Sequence, residues 1–212
     1  MTDARSVRTG THRHLWRGAS IALAVLLLAA CTESGPVTPG PEADGPLSPG
    51  AAPDGWHKVD RGLVTFSVPE ALGDGKEVDP DPRAPDDRSF VLLGQTGANG
   101  GRPGVSTSVS EAPTRTASVE ANAMENELTA TSTIEDMTRT EVTWPGATAV
   151  TYLTWERDVE LADGTVLRHH HEWFFADLEH GGGQVVVGTV APVEEYDALQ
   201  MHTIMTTITL NP

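Results

Sequence analysis

The feature that most restricts the fold is a succession of alternating segments and turn signals between Thr138 and Val190. Residues 138–144, 148–157, 165–176 and 184–190 read as strands, rich in β-branched and aromatic side chains. Pro145-Gly146, Ala162-Asp163-Gly164 and Glu179-His180-Gly181-Gly182-Gly183 stand between them. Connections this short make consecutive strands antiparallel, since a parallel return needs roughly a dozen residues. Upstream, Trp56-His57-Lys58-Val59 and residues 63–68 read as two strands around the turn Asp60-Arg61-Gly62. In the second of these, Val64, Phe66 and Val68 share one face and Thr65 and Ser67 the other. Phe90-Val91-Leu92-Leu93 and the run carrying Val105, Thr107 and Val109 add two more, joined by a glycine-rich loop.

Two helices interrupt the strands. Ala117, Ala121, Met124 and Leu128 fall on one stripe, with Thr116 as the expected N-cap and Glu120 near the positive helix end. Pro192 opens the last helix, Glu194 and Glu195 occupy its first turn, and Met201, Ile204, Met205 and Ile208 form its apolar face. The expected fold is therefore α+β: an antiparallel β-sheet, a helix inserted after the first strands, and a C-terminal helix packed back on the sheet.

The first thirty residues carry a different message. Arg5, Arg8, Arg13 and Arg17 precede the apolar run Ala19-Ser20-Ile21-Ala22-Leu23-Ala24-Val25-Leu26-Leu27-Leu28-Ala29-Ala30, which ends at Cys31, the only cysteine. Twelve helical residues reach only ~18 Å against a hydrocarbon core of ~30 Å, too short for a comfortable span but normal for a signal peptide. Leu28-Ala29-Ala30-Cys31 resembles the lipobox of bacterial lipoproteins, in which the cysteine is acylated at sulfur and becomes the new N-terminus. An ordinary cleaved signal peptide or a tilted single-span anchor are the alternatives. The resemblance implies lipidation of Cys31 with acyl chains such as palmitate, and an extracytoplasmic protein held at the cell membrane. One acyl chain binds a membrane only marginally, whereas two retain a protein stably. With Cys31 lipidated, the exported part has no thiol and forms no disulfide, so it must stand on its core alone.

Residues 1–30 then form the signal peptide, residues 31–55 a disordered tether and residues 56–212 one domain. Pro36, Pro39, Pro41, Pro46, Pro49 and Pro53 alternate with glycine in the tether, which has too few apolar side chains to offset the entropy of ordering. It reads as a semi-stiff spacer. Losing residues 1–30 leaves 10 basic against 29 acidic residues, so the net charge moves from −16 to near −19. Such acidity argues against nucleic acid and against lying flat on an anionic membrane.

From Trp56 to Leu210 the succession resembles the PsbP-like fold. It has a first Trp, a strand ending Phe66-Ser67-Val68-Pro69, a central helix and a meander, then Gln184-Val185-Val186-Val187-Gly188-Thr189-Val190-Ala191-Pro192 leading to an amphipathic helix. Within that fold it is similar to the LpqN/LpqT-type group of bacterial envelope lipoproteins. The resemblance implies a non-enzymatic, monomeric binding or assembly protein with an envelope protein partner. Only Cys31 carries over as a functional residue, with no catalytic residue, metal or cofactor. A carrier of a small or lipidic ligand is the alternative reading, and a metal-dependent enzyme the third.

The chemistry-bearing motifs are few. Leu167, His169, His171, Trp173 and Phe175 share one face of a strand, and Arg168, His170, Glu172 and Phe174 the other. His169 and His171 have the i, i+2 spacing of strand zinc ligands, with His57, His180 or His202 as possible third ligands, but their apolar neighbours favour packed histidines. Asp79, Asp81, Asp86 and Asp87 suggest a calcium loop, yet the sixth and twelfth positions from Asp79 hold Ala84 and Phe90 instead of glycine and glutamate. The glycine-rich stretch from Gly94 to Gly101 lacks the Lys-Ser/Thr of a phosphate loop, and neither HExxH nor GxSxG occurs.

Overall fold

The computed structural model describes residues 47–73, 75–79, 87–131, 133–180 and 182–212. The strands are β1 (His57–Asp60), β2 (Val64–Val68), β3 (Lys76–Val78), β4 (Arg88–Leu93), β5 (Gly104–Ser110), β6 (Ile134–Glu141), β7 (Ala147–Glu160), β8 (Val166–Leu178), β9 (Gln184–Pro192) and β10 (Thr209–Leu210). The helices are α1 (Ala117–Thr131), α2 (Val193–Tyr196) and α3 (Met201–Thr206). Seven strands pair antiparallel in the order β3-β4-β5-β9-β8-β7-β6, and β1-β2-β10 form a second antiparallel sheet. The α+β expectation holds, with the inserted helix on one face of the large sheet and the C-terminal helices on the other.

The meander forms because its turns suit its residues. Gly146 and Gly164 sit at φ +83° and +84°, a region open to glycine at little cost, and Asp163 Oδ1 accepts from the Thr165 N–H at 2.9 Å. Alternation then sorts β8 cleanly. Phe174, Ala176 and Leu178 enter the main core with Val64, Phe66, Val68, Met201, Ile204 and Met205, whereas Trp173 and Phe175 face α1. Ala117 and Ala121 are fully buried against Leu153 and Phe175, with Met124 and Leu128 at the margin, as the helical stripe requires. Trp173 lies flat over its cross-strand partner Gly188, where an added Cβ would come within 2.5 Å of the indole.

Thr116 stands at the N-cap position of α1, its carbonyl accepting from the Val119 and Glu120 N–H groups at 3.0 Å, and Asp177 Oδ1 of β8 accepts from the Ala117 N–H at 2.9 Å. Four expectations need correction. The C-terminal helix is broken by Gln200, in the left-handed region at φ 55°. On one continuous helix Tyr196 would stand roughly 140° from Met201. The break lets Tyr196, Met201, Ile204 and Met205 all bury, and Ile208 follows just past the helix. After it, β10 pairs with β2, closing the second sheet that the strand pattern alone does not reveal.

The third correction concerns the tether. Its last part packs on the domain: Leu47 is buried in the main core and the Gly50 N–H donates to Thr206 O at 2.7 Å. An isolated leucine among prolines was enough apolar surface to dock. The fourth concerns the stretch between β2 and β4, where the strand pattern places no element: it contains a short 3-10 turn at Glu70–Leu72 and the edge strand β3, paired with β4. Residues 80–86, with most of the suggested calcium loop, lie outside the described residues, as do the signal peptide and Cys31.

Candidate functional site

The register of β7 and β8 places charged residues in two separate clusters, one on each face of the sheet. On the face covered by α2 and α3, Glu172 is only 4% exposed. A buried carboxylate is costly unless it is bonded on several sides. Here Tyr152, from β7, donates to Oε2 at 2.5 Å, and His202 Nδ1, from α3, donates to Oε2 and Oε1 at 2.9 and 3.0 Å. His170 Nε2 stands 3.5 Å from Oε1 and its ring meets Tyr196 edge-on at 4.5 Å. Tyr196 shares a 2.6 Å hydrogen bond with Thr189 of β9. Farther out, Glu156 lies 2.9 Å from Arg168 and 3.6 Å from His170, and Arg168 also bonds Glu135.

The electrostatics follow from this packing. Burial drives the Glu172 pKa upward, but bonds from His170, His202 and Tyr152 outweigh it and hold it at about 2. His202 is raised, first by its hydrogen bond to Glu172 and against its own burial. Tyr152 and Tyr196 are raised by burial and by the Glu172 charge, so both stay neutral phenols. Both carboxylate oxygens are occupied by internal donors. The arrangement ties α3 to the centre of β8 and keeps Glu172 enclosed, at 4% exposed, with a donor on each oxygen.

On the opposite face, Trp155 pairs across the ladder with His171, and Arg157 with His169. Trp155 and His171 stack at 5.0 Å with 5° between their planes. Trp155, His169 and His171 are buried and Arg157 half-buried. His169 Nδ1 lies 3.2 Å from Leu167 O, while Trp155 Nε1, Arg157 Nε and His171 Nε2 have no partner. The His171 pKa is pulled well down by burial and then by Arg157, and His169 is lowered chiefly by burial.

The two-face assignment made from alternation is therefore correct for His169, His170, His171 and Glu172. The His170 and Glu172 side is covered by α2 and α3, and Glu172 is buried there. The proposed histidine sets do not assemble: His57 starts β1, His180 sits in the β8–β9 turn, and His202 contacts Glu172 across the sheet from His169 and His171. Among the described residues no group of three His, Cys, Asp or Glu is placed to hold a metal ion. A shallow depression of about 410 Å³ lies by Pro113, Arg115, Thr116 and Asp177, but Asp177 is already engaged by the Ala117 N–H. No described helix is long and apolar enough to cross a membrane.

Sequence reasoning missed the Glu172 network and the half-buried Arg157 with its unbonded Nε. Tyr152 and His202 are 20 and 30 residues from Glu172, so only the paired register and the break before α3 bring them together. The signal available was a glutamate alternating with aromatic residues on a long strand, a position where an unpartnered charge is not tolerated.

No family model matches the chain, and no curated protein does. Among solved structures it is similar to the crystal structure of LpqN, involved in cell envelope biogenesis of Mycobacterium tuberculosis. The TM-score is 0.41 at 14% identity, over 74% of this chain and 91% of that one. The likeness is distant, and no residue or role is transferred from it.

Proposed function

We propose that this chain is a lipid-anchored, non-catalytic binding or assembly protein on the outer face of the bacterial cytoplasmic membrane. The observation that carries the reading is the lone Cys31, standing directly after Leu28-Ala29-Ala30 at the end of a short apolar run. The placement of Leu47 supports it: sixteen residue steps separate Cys31 from the first described residue, a reach of at most roughly 55 Å from the membrane. The consumption of both Glu172 oxygens by Tyr152 and His202 supports a scaffold in preference to an acid–base catalyst. An envelope protein is the proposed partner, and the chain itself is a monomer.

The test is metabolic labelling of the full chain with a clickable palmitate analogue, followed by crosslinking and affinity purification from membranes. Cys31→Ala is expected to lose label and detergent-phase partitioning while the domain keeps its melting temperature. Persistence of both in the variant overturns the anchor. A second reading, a carrier of a small ligand, is favoured by the unpartnered donors around Arg157.

A further inference from the structure

We infer that Trp155, Arg157, His169 and His171 form a binding site for an oxyanion group, a carboxylate or phosphate. This deepens the carrier reading and does not depend on the lipid anchor.

The four residues make a two-by-two block on one sheet face. Trp155 and Arg157 are neighbours along β7, His171 and His169 lie opposite them on β8, and facing side chains in such pairs are ~5 Å apart at Cβ. Three of the four present a nitrogen that is out of contact with water and bonded to nothing: Trp155 Nε1, Arg157 Nε and His171 Nε2. An indole N–H and a guanidinium N–H can only donate, and a neutral imidazole can carry its proton on Nε2. Leaving such groups unbonded is costly, and three of the five buried polar atoms without a hydrogen bond among the described residues gather in this block; the other two are Thr107 Oγ1 and Arg168 Nε, the latter 2.9 Å from the Glu156 carboxylate. What all three lack is an acceptor.

Charge points the same way. The chain has a net charge of −16, yet among the described residues no carboxylate comes within ion-pair distance of Arg157. Arg139, on the same face, differs: Glu125 and Glu141 pair with it, and Ser118 and Asn122 of α1 complete its bonds. Arg168, on the other face, is held by Glu135 and Glu156. Burial lowers the Arg157 pKa, and no acid offsets that burial. An arginine stays protonated all the same, so the block keeps one positive charge without a counter-charge. Both histidines are depressed, which leaves them neutral donors around that single cation.

Access comes from the Arg157 side. The rings of Trp155 and His171 are enclosed, at 2% and 6% exposed, whereas Arg157 is half-buried and its neighbours Val159 and Leu167 are partly open. Leu128, Ile134 and Met137 are partly buried apolar groups packed against the cluster that contains Trp155. An oxyanion entering beside the guanidinium would meet the Arg157 fork first and the indole and imidazole donors behind it. The group could be a free small anion or the head of an amphiphile whose tail lies on those apolar side chains.

The test is calorimetric titration of the full-length chain in non-ionic detergent with inorganic phosphate, acetate and hexanoate. Saturable one-to-one binding is expected. Arg157→Ala should weaken it at least about tenfold, since a charge-assisted fork is lost. Trp155→Phe, which keeps the ring but removes the N–H, should weaken it several-fold, while Arg168→Ala on the opposite face leaves it unchanged. Arg157→Lys keeps the charge without the fork and should bind with intermediate affinity, which covers the case in which Arg157→Ala does not fold. Hexanoate binding tighter than acetate identifies an amphiphile head; equal affinities identify a free anion. Absence of saturable binding by all three anions, or equal affinity in wild type and the foldable Arg157 variants, overturns the site. Neither result bears on Cys31 labelling, so the two failures are distinguishable.

Discussion

His202 Nδ1 lies 2.9 Å from Glu172 Oε2, a contact that joins a helix of two turns to the middle of the longest hairpin. Too short to be stable alone, α3 is held by Met201, Ile204 and Met205 beneath it and by this charged bond at its start. The bond also makes Glu172 affordable inside the protein, because one neutral and two imidazole donors surround it.

Removing the carboxylate should therefore unseat more than one side chain. Glu172→Ala leaves Tyr152 and His202 without their acceptor, and losing one partner of a buried pair typically costs ~3–5 kcal/mol. Glu172→Gln keeps an acceptor oxygen and should cost less, about 1–2 kcal/mol. Denaturant unfolding measures both. An Ala variant within error of wild type would show that the network adds nothing to stability.

The same pair sets a pH window. Glu172 is held at about 2 in the folded chain against an ordinary 4.5, so its contribution is complete above 4.5 and disappears as pH falls toward 2. His202 is raised above its ordinary 6.5, so its contribution is complete below 6.5 and is lost as pH rises through the folded value. The two overlap between about pH 4.5 and 6.5, where the network is strongest. Comparing wild type with His202→Gln across pH should give the largest difference in melting temperature inside that window and a shrinking one above it. A difference independent of pH would exclude the charged form of His202.

How much of this was legible depended on the distance over which the information acts. Periods of two and four residues placed Trp173, Phe175, Ala117 and Ala121 correctly, because local repeat alone decides which face they take. Turn glycines at Gly146 and Gly164 fixed the hairpins for the same reason. What stayed hidden was set by tertiary pairing. Nothing near Thr209 and Leu210 announces a strand, since β10 exists only because β2 offers its edge. The burial of Glu172 could not be read from its neighbours, because α2 and α3 arrive from the far end of the chain to cover it. Leu47 looked like tether for the complementary reason: its environment is prolines and glycines in sequence but the main core in space.

His170 illustrates the difference in a measurable way. By sequence it belongs with Arg168 on a solvent face, and its replacement should be neutral within ~0.5 kcal/mol. In the fold its ring abuts Tyr196 edge-on and its Nε2 approaches Glu172, so His170→Ala should cost about 1–2 kcal/mol. His171→Phe makes a useful contrast, because it preserves the stack on Trp155 and removes an unpartnered nitrogen. Exchanging a buried polar group without a partner for an apolar ring of similar shape should be near neutral or stabilising. Equal losses for the two variants in thermal unfolding would contradict this account of both faces.

Leu47 offers the sharpest check on where the folded domain begins. Its side chain is 4% exposed and belongs to the main core, and three residues later the Gly50 N–H bonds Thr206 O at the end of α3. Full burial of a leucine is worth ~1.5–3 kcal/mol, and truncation to alanine in a core costs ~2–5 kcal/mol once the cavity is included. At the rim of a core the walls relax more easily, which places Leu47→Ala near the lower end, about 2 kcal/mol. A chain beginning at Gly55 loses both Leu47 and the Gly50 bond, and should be destabilised at least as much as the point variant. It should also show faster amide exchange at Thr206 and Thr207, since the segment that lies against the end of α3 is gone. Identical unfolding midpoints for the chains starting at Leu47 and at Gly55 would return residues 47–55 to the tether.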